Sequence, residues 1–162
     1  MENVTIKNYS KEYKNDVIDL ILDIQQNEFK IPISREDQPD LNDIPTFYQS
    51  GNGNFWIALC NGRVVGTISL IDIGNHQGAL RKMFVKSTFR GLGYNTAKLL
   101  LLQLITWARE HNVHDIYLGT TEKFLAAHRF YEKNEFIQID KAILPKAFPI
   151  MKVDTRFYKL NI

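Results

Sequence analysis

The sequence predicts an α+β fold: one mixed, mostly antiparallel sheet of about seven strands with helices on both faces. Three observations carry this. Apolar runs at 55–60 and 63–73 are joined by Asn61-Gly62, and a third run at 77–85 follows Gly74-Asn75-His76. Asn-Gly between apolar runs is the strongest short hairpin signal, so the three runs read as an antiparallel meander. Residues 80–108 read as strand, glycine turn and long helix. Within the helix the apolar residues Ala97, Leu100, Leu101, Leu104, Ile105 and Ala108 keep the spacing of one buried face. Beyond residue 110, strands and a helix alternate again, which gives the order β-α-α-β-β-β-α-β-α-β-β. A meander running into β-α-β calls for a single mixed sheet.

Taken in order, Val4-Thr5-Ile6 is a short edge-like strand. Ser10 is placed to cap the next helix, whose apolar face is Tyr13, Val17, Leu20, Ile21 and Ile24. Residues 30–45 hold Pro32, Pro39 and Pro45 among acidic side chains and read as loop, with a short helix near 41–49. Residues 50–54 turn into the meander. After the long helix come a strand at 115–119, a cap at Thr120 or Thr121, and a helix over about 123–133. Strands at 136–139 and 155–160 close the chain, with Pro145 and Pro149 in the loop between them.

Length and composition narrow the function. At 162 residues the chain is one domain, 1–162, long enough to bury a core without staples. A net charge of +2 is too small to argue for nucleic acid or an anionic membrane. The single Cys60 sits in an apolar run and excludes an internal disulfide and a multi-cysteine zinc site. The four histidines show no metal-ligand spacing. The polar start lacks an apolar signal core and no stretch nears about 18 apolar residues, so a cytoplasmic protein is expected.

The junction at Arg90-Gly91-Leu92-Gly93-Tyr94-Asn95-Thr96 points at a phosphate. The first turn of a helix carries unpaired N–H groups and partial positive charge. Glycines let a bulky anion reach those amides, and Arg90 adds a cation. Each such interaction is worth roughly 0.3–1 kcal/mol, so several together can hold a diphosphate. The segment resembles the pyrophosphate signature of the GNAT acetyltransferase superfamily, Arg/Gln-x-x-Gly-x-Gly/Ala, matched at Arg90 and Gly93. Asn95 stands where that family has Gly or Ala. Residues 124–136 resemble the family's Asn-x-x-Ala-x-x-x-Tyr-Glu-Lys-x-Gly-Phe helix at Ala127, Tyr131, Glu132, Lys133 and Phe136, with Phe124 for Asn and Glu135 for Gly.

The resemblance covers nearly the whole chain and implies a GNAT-like sheet, acetyl-CoA as cosubstrate and transfer of its acetyl group to an amine. It implies that the strand at Met83, Phe84 and Val85 pairs with the pantetheine arm through the backbone of Phe84 and Val85. It implies that the turn residues 90–96 grip the diphosphate, and that Ala126 and Ala127 give the arm room. Tyr131 is then the general acid: a thiol's reference pKa is about 8.5 and a phenol's about 10, so the phenol can hand its proton to the departing sulfur. No residue is singled out as base. Glu28, Glu36, Asp37 and Asp72 are the carboxylates considered, and His76 and His128 the relays. The acceptor, a small molecule or a peptide amine, is left open, and the resemblance also implies a possible homodimer. The acidic stretch 36–40 and the apolar loop 144–151 would flank the acceptor side. Two competing readings differ in class. Gly91-x-Gly93-x-x-Thr96 nearly matches a dinucleotide fingerprint, but that signal alone is weak, and the preceding meander and the short chain argue against that fold. A non-catalytic acyl-CoA-binding or interaction protein of the same fold is separated from an enzyme by whether thiol is released.

Overall fold

The structure is a computed structural model that describes residues 3–91 and 93–162. Seven strands form one sheet: β1 (Thr5–Asn8), β2 (Asn54–Cys60), β3 (Arg63–Gly74), β4 (Gln77–Val85), β5 (Asp115–Thr120), β6 (Ile137–Ile139) and β7 (Arg156–Asn161). Their spatial order is β1-β2-β3-β4-β5-β7-β6. All neighbours are antiparallel except β4 and β5. That parallel pair needs a crossover, and α3 (Thr96–Glu110) supplies it.

The sheet is covered on both faces, which explains why β2 is apolar from Phe55 to Cys60 rather than alternating. Trp56, Ala58 and Cys60 pack with Leu100, Leu101 and Leu104 of α3 on one side. Phe55 and Ile57 point the other way, onto Val17, Ile18 and Ile21 of α1 (Lys14–Leu22). Successive strand side chains alternate faces, so one strand stitches two cores. α1 runs on as a π-helical stretch, Asp23–Glu28, and α2 (Ile44–Phe47) is a single short turn.

The expected caps are not used. A 3-10 turn, Lys11–Tyr13, follows Ser10, so the α-helix begins later and the Ser10 hydroxyl donates to Glu12 instead. α4 (Leu125–Lys133) starts from Phe124 with no side-chain cap; Thr120 and Thr121 lie in the approach to it. Among the described residues no helix is long and apolar enough to cross a membrane.

Candidate active site

β4 and β5 pair over three positions only, Gln77↔Asp115, Gly78↔Ile116 and Ala79↔Tyr117. Beyond Ala79 and Tyr117 they part, and β4 continues against β3 alone. The gap is a cleft of about 460 Å³, walled by residues 80–85 of β4, residues 118–120 of β5, the start of α4 and the loop at 148–154. One strand edge inside it is free. The Lys86 N–H donates to the Val65 carbonyl at 2.8 Å, so the Val85 N–H and C=O turn the other way, into the gap. Arg90 Nε donates to that carbonyl at 2.8 Å, leaving the Val85 amide for an incoming acceptor. Phe84 faces Thr67 in the register, so its backbone groups turn to β3 and its ring to the cleft. Met83 lines the cleft half-buried.

At one end of the gap the chain makes the glycine turn. Gly91 and Gly93 adopt φ of 85° and 102°, in the region that favours glycine. Among the described residues, and apart from its chain neighbours, nothing lies within 4 Å of where a Gly91 Cβ would stand. Asn95, at φ 54°, is the residue before α3, and its side chain does not cap the helix. Asn is among the few residues that take this conformation readily. Among the described residues nothing accepts from the amides of Thr96, Ala97 or Lys98. The Thr96 hydroxyl is spent on the Phe89 carbonyl at 3.0 Å, and Tyr94 rests its ring on Phe89. Leu92 lies outside the described residues. The Arg90 side chain is already engaged: besides Val85 it grips Glu28 with both terminal nitrogens, at 2.5 and 2.7 Å. Three of its five donors are therefore committed, and it ties the turn to the end of the π-helical stretch.

α4 brings the tyrosine. Its start, Leu125-Ala126-Ala127, lines the cleft, and so does Tyr131. Tyr131 is 5% exposed, with Phe136 and Tyr158 rings 5.4 and 5.9 Å away. Its hydroxyl finds no hydrogen-bond partner among the described residues. Nor is it sealed: among them, Trp56 Nε1 is the side-chain atom both enclosed and unbonded. Burial pushes the Tyr131 hydroxyl well above its ordinary value, with Tyr158 adding to the shift. The phenol therefore keeps its proton at any working pH. His128 is buried, with Nε2 on the Thr121 carbonyl at 3.0 Å and Nδ1 against Arg156 at 3.2 Å. Both ring nitrogens are occupied, so its place is structural.

The opposite end of the cleft holds residues the sequence did not single out. Lys82 sits at φ 53° where the β3–β4 register slips. This bulge turns two successive side chains, Arg81 and Lys82, toward one cavity. Lys82 Nζ donates to Gln38 Oε1 at 2.5 Å and lies 3.6 Å from Asp40. Tyr48 also donates to Asp40, and Gln38 exchanges two amide bonds with Gln25. Asp154 accepts the Met151 N–H on Oδ2 at 2.9 Å; burial raises its pKa, against the pull of that amide and of Arg81 and Lys82. The carboxylates considered from sequence are placed elsewhere. Glu28 serves Arg90, Asp72 takes the Asn52 and Gly74 amides, Asp37 pairs with Lys152 and Glu36 is exposed. His76 is exposed, on the Asn112 carbonyl.

Comparison with known proteins agrees with this fold. A family model described as "Acetyltransferase (GNAT) family" matches residues 18–136. The crystal structure of a GNAT-family acetyltransferase from Staphylococcus aureus superposes with a TM-score of 0.94 at 45% identity, covering 98% of each chain. An acetyltransferase structure from Streptococcus agalactiae matches with a TM-score of 0.94 at 32% identity over 100% of both chains. Among curated proteins, N-acetylaspartate synthetase of Danio rerio is 36% identical over 102 residues, 62% of this chain and 36% of that protein. The chain thus spans little more than a third of the length of that relative.

Proposed function

The chain belongs to the GNAT acetyltransferase family, and on that premise we propose that it moves an acetyl group from acetyl-CoA to a primary amine by direct attack in a ternary complex. The observation that carries the reading is the parted β4–β5 edge, with the free Val85 amide and the unbonded Tyr131 hydroxyl opening on one cleft.

The residues present fit the cosubstrate. The unbonded amides of Thr96, Ala97 and Lys98 and the open space at Gly91 suit a diphosphate. Gly93, Tyr94 and Asn95 shape the turn that presents those amides. The Val85 amide suits an extended arm added to a strand edge, with Met83 and Phe84 as its wall and Ala127 leaving it room. Acetyl-CoA, when bound, supplies a thioester. Tyr131 donates its proton to the sulfur as the carbon–sulfur bond breaks. Its raised pKa keeps the donor loaded, and the same dry surroundings raise the basicity of the leaving thiolate. As the acceptor nitrogen bonds to the acetyl carbon, it sheds a proton, which Asp154 takes; Oδ2 of that carboxylate holds the Met151 N–H. An amine near the lysine reference value of about 10.4 costs about 4–5 kcal/mol to deprotonate at pH 7, so a nearby carboxylate is useful. Arg90 acts first by bracing the turn against Val85 and Glu28.

The relatives named N-acetylaspartate synthetase make an acetylated amino acid, so amino acids belong in the acceptor panel beside simple amines and peptides. Thiol release from acetyl-CoA is followed over that panel. Tyr131→Phe is expected to slow turnover roughly tenfold or more, with acetyl-CoA affinity by calorimetry unchanged. Undiminished turnover would remove Tyr131 as the acid. Cofactor binding without thiol release across the whole panel would favour the non-catalytic acyl-CoA-binding reading.

A further inference from the structure

Arg81 lines the cleft at the end away from the glycine turn. Among the described residues its guanidinium makes no ion pair; its one polar contact is Nη2 on the Met151 sulfur at 2.7 Å. A thioether is a weak acceptor, so a cation with five donors stands nearly unsatisfied in a sheltered, largely apolar cavity. Its neighbour Lys82 is different, since Gln38 and Asp40 already hold that ammonium.

Asp154 is the opposite charge beside Arg81. It is bound to the backbone N–H of the same Met151 whose sulfur touches Arg81. The two side chains are close enough to feel one another's charge, yet they do not form a pair within 4.0 Å. Among the described residues, Asp154 Oδ1 carries no hydrogen bond. A cation and an anion set apart across one methionine are complementary to a small molecule with both charges. Arg guanidinium recognises carboxylate in two-pronged fashion, and a carboxylate receives an ammonium.

We propose that the acceptor is a free amino acid, whose carboxylate Arg81 binds while Asp154 faces its amino group. This rests on the acetyl-transfer reading and names the substrate class of the same site. It disfavours polyamines and internal lysines of proteins, which bring no carboxylate next to the amine. Arg81 is a specificity-determining residue here; Lys82 and the Gln38–Asp40 network hold the bulge that aims it.

The test pairs each L-amino acid with its carboxamide and its decarboxylated amine, using acetyl-CoA and thiol release. The wild-type chain is expected to use at least one free acid with kcat/KM at least tenfold above its carboxamide. Arg81→Gln should raise KM for that acid about tenfold or more, leave kcat within a few-fold, and leave the carboxamide unaffected. Arg81→Lys should recover part of the loss. Equal use of acid and carboxamide, or a polyamine as best acceptor, would overturn the proposal. Calorimetry of the coenzyme A-loaded protein with the free acids runs alongside. Tight binding that Arg81→Gln weakens, with no thiol released, would keep the ligand class and overturn transfer. Absence of both binding and turnover for every free acid would overturn the ligand class itself.

Discussion

Glu135 stands at φ 75°, just past the end of α4. The Phe136 N–H bonds the Tyr131 carbonyl at 3.0 Å and the Glu135 N–H the Glu132 carbonyl at 3.3 Å. This is the two-bond helix ending that normally places glycine in the left-handed position. The resemblance noted Glu135 as a departure from Gly, and the backbone gives the departure a physical meaning: an L side chain there is strained by about 1–2 kcal/mol. Glu135→Gly is therefore expected to stabilise the fold by about 1 kcal/mol, read as a higher urea midpoint, with turnover unchanged. A lower midpoint would contradict it. Asn95 differs, because asparagine tolerates the same region locally; of the three departures from the family pattern, Asn95 and Glu135 fall where the chain turns left-handed, while Phe124 sits at φ −94°.

At the scale of elements, Lys82 joins four pieces of chain. Its ammonium meets Gln38 and Asp40 of the loop after α1, Gln38 meets Gln25 of the π-helical stretch, and Asp40 meets Tyr48 beside α2. Burial lowers the Lys82 pKa to about 8, against the attraction of Asp40. Between pH 8 and about 10 the folded protein has released a proton that the unfolded chain still holds. The unfolded state then binds more protons, so stability rises with pH, by up to about 1.4 kcal/mol per unit. Below pH 8 the cost of burying the charge is present in full. Lys82→Met should flatten that rise in urea denaturation at pH 7.5, 8.5 and 9.5; equal slopes in both proteins would exclude Lys82 as its source. None of this network was legible in the sequence. Residues 30–45 read as a proline-punctuated acidic loop, and neither loop burial nor a bulge leaves a periodic trace. What periodicity could show, it did: the Asn61-Gly62 hairpin, the α3 stripe and the apolar β2 run all lie where the pattern put them.

The whole molecule is arranged around the parting of β4 and β5. Two cores clamp the sheet from both faces, so the strands can separate beyond Ala79 and Tyr117 without loss of the fold. The sequence marked one end of the resulting cleft through the glycine turn, and one wall through Ala127 and Tyr131, because short motifs carry those features. It did not mark the other end, where packing brings Arg81 and Asp154, far apart in the chain, to one cavity on either side of Met151. The central claim is that coenzyme A lies along this gap, diphosphate at the start of α3 and arm against Val85. The most direct measurement is the backbone amide NMR spectrum of the labelled protein titrated with coenzyme A. The largest shifts are expected at Val85, Thr96, Ala97 and Lys98, with Tyr131 close behind. A spectrum in which those amides stay fixed while coenzyme A binds elsewhere, or does not bind, would contradict the account.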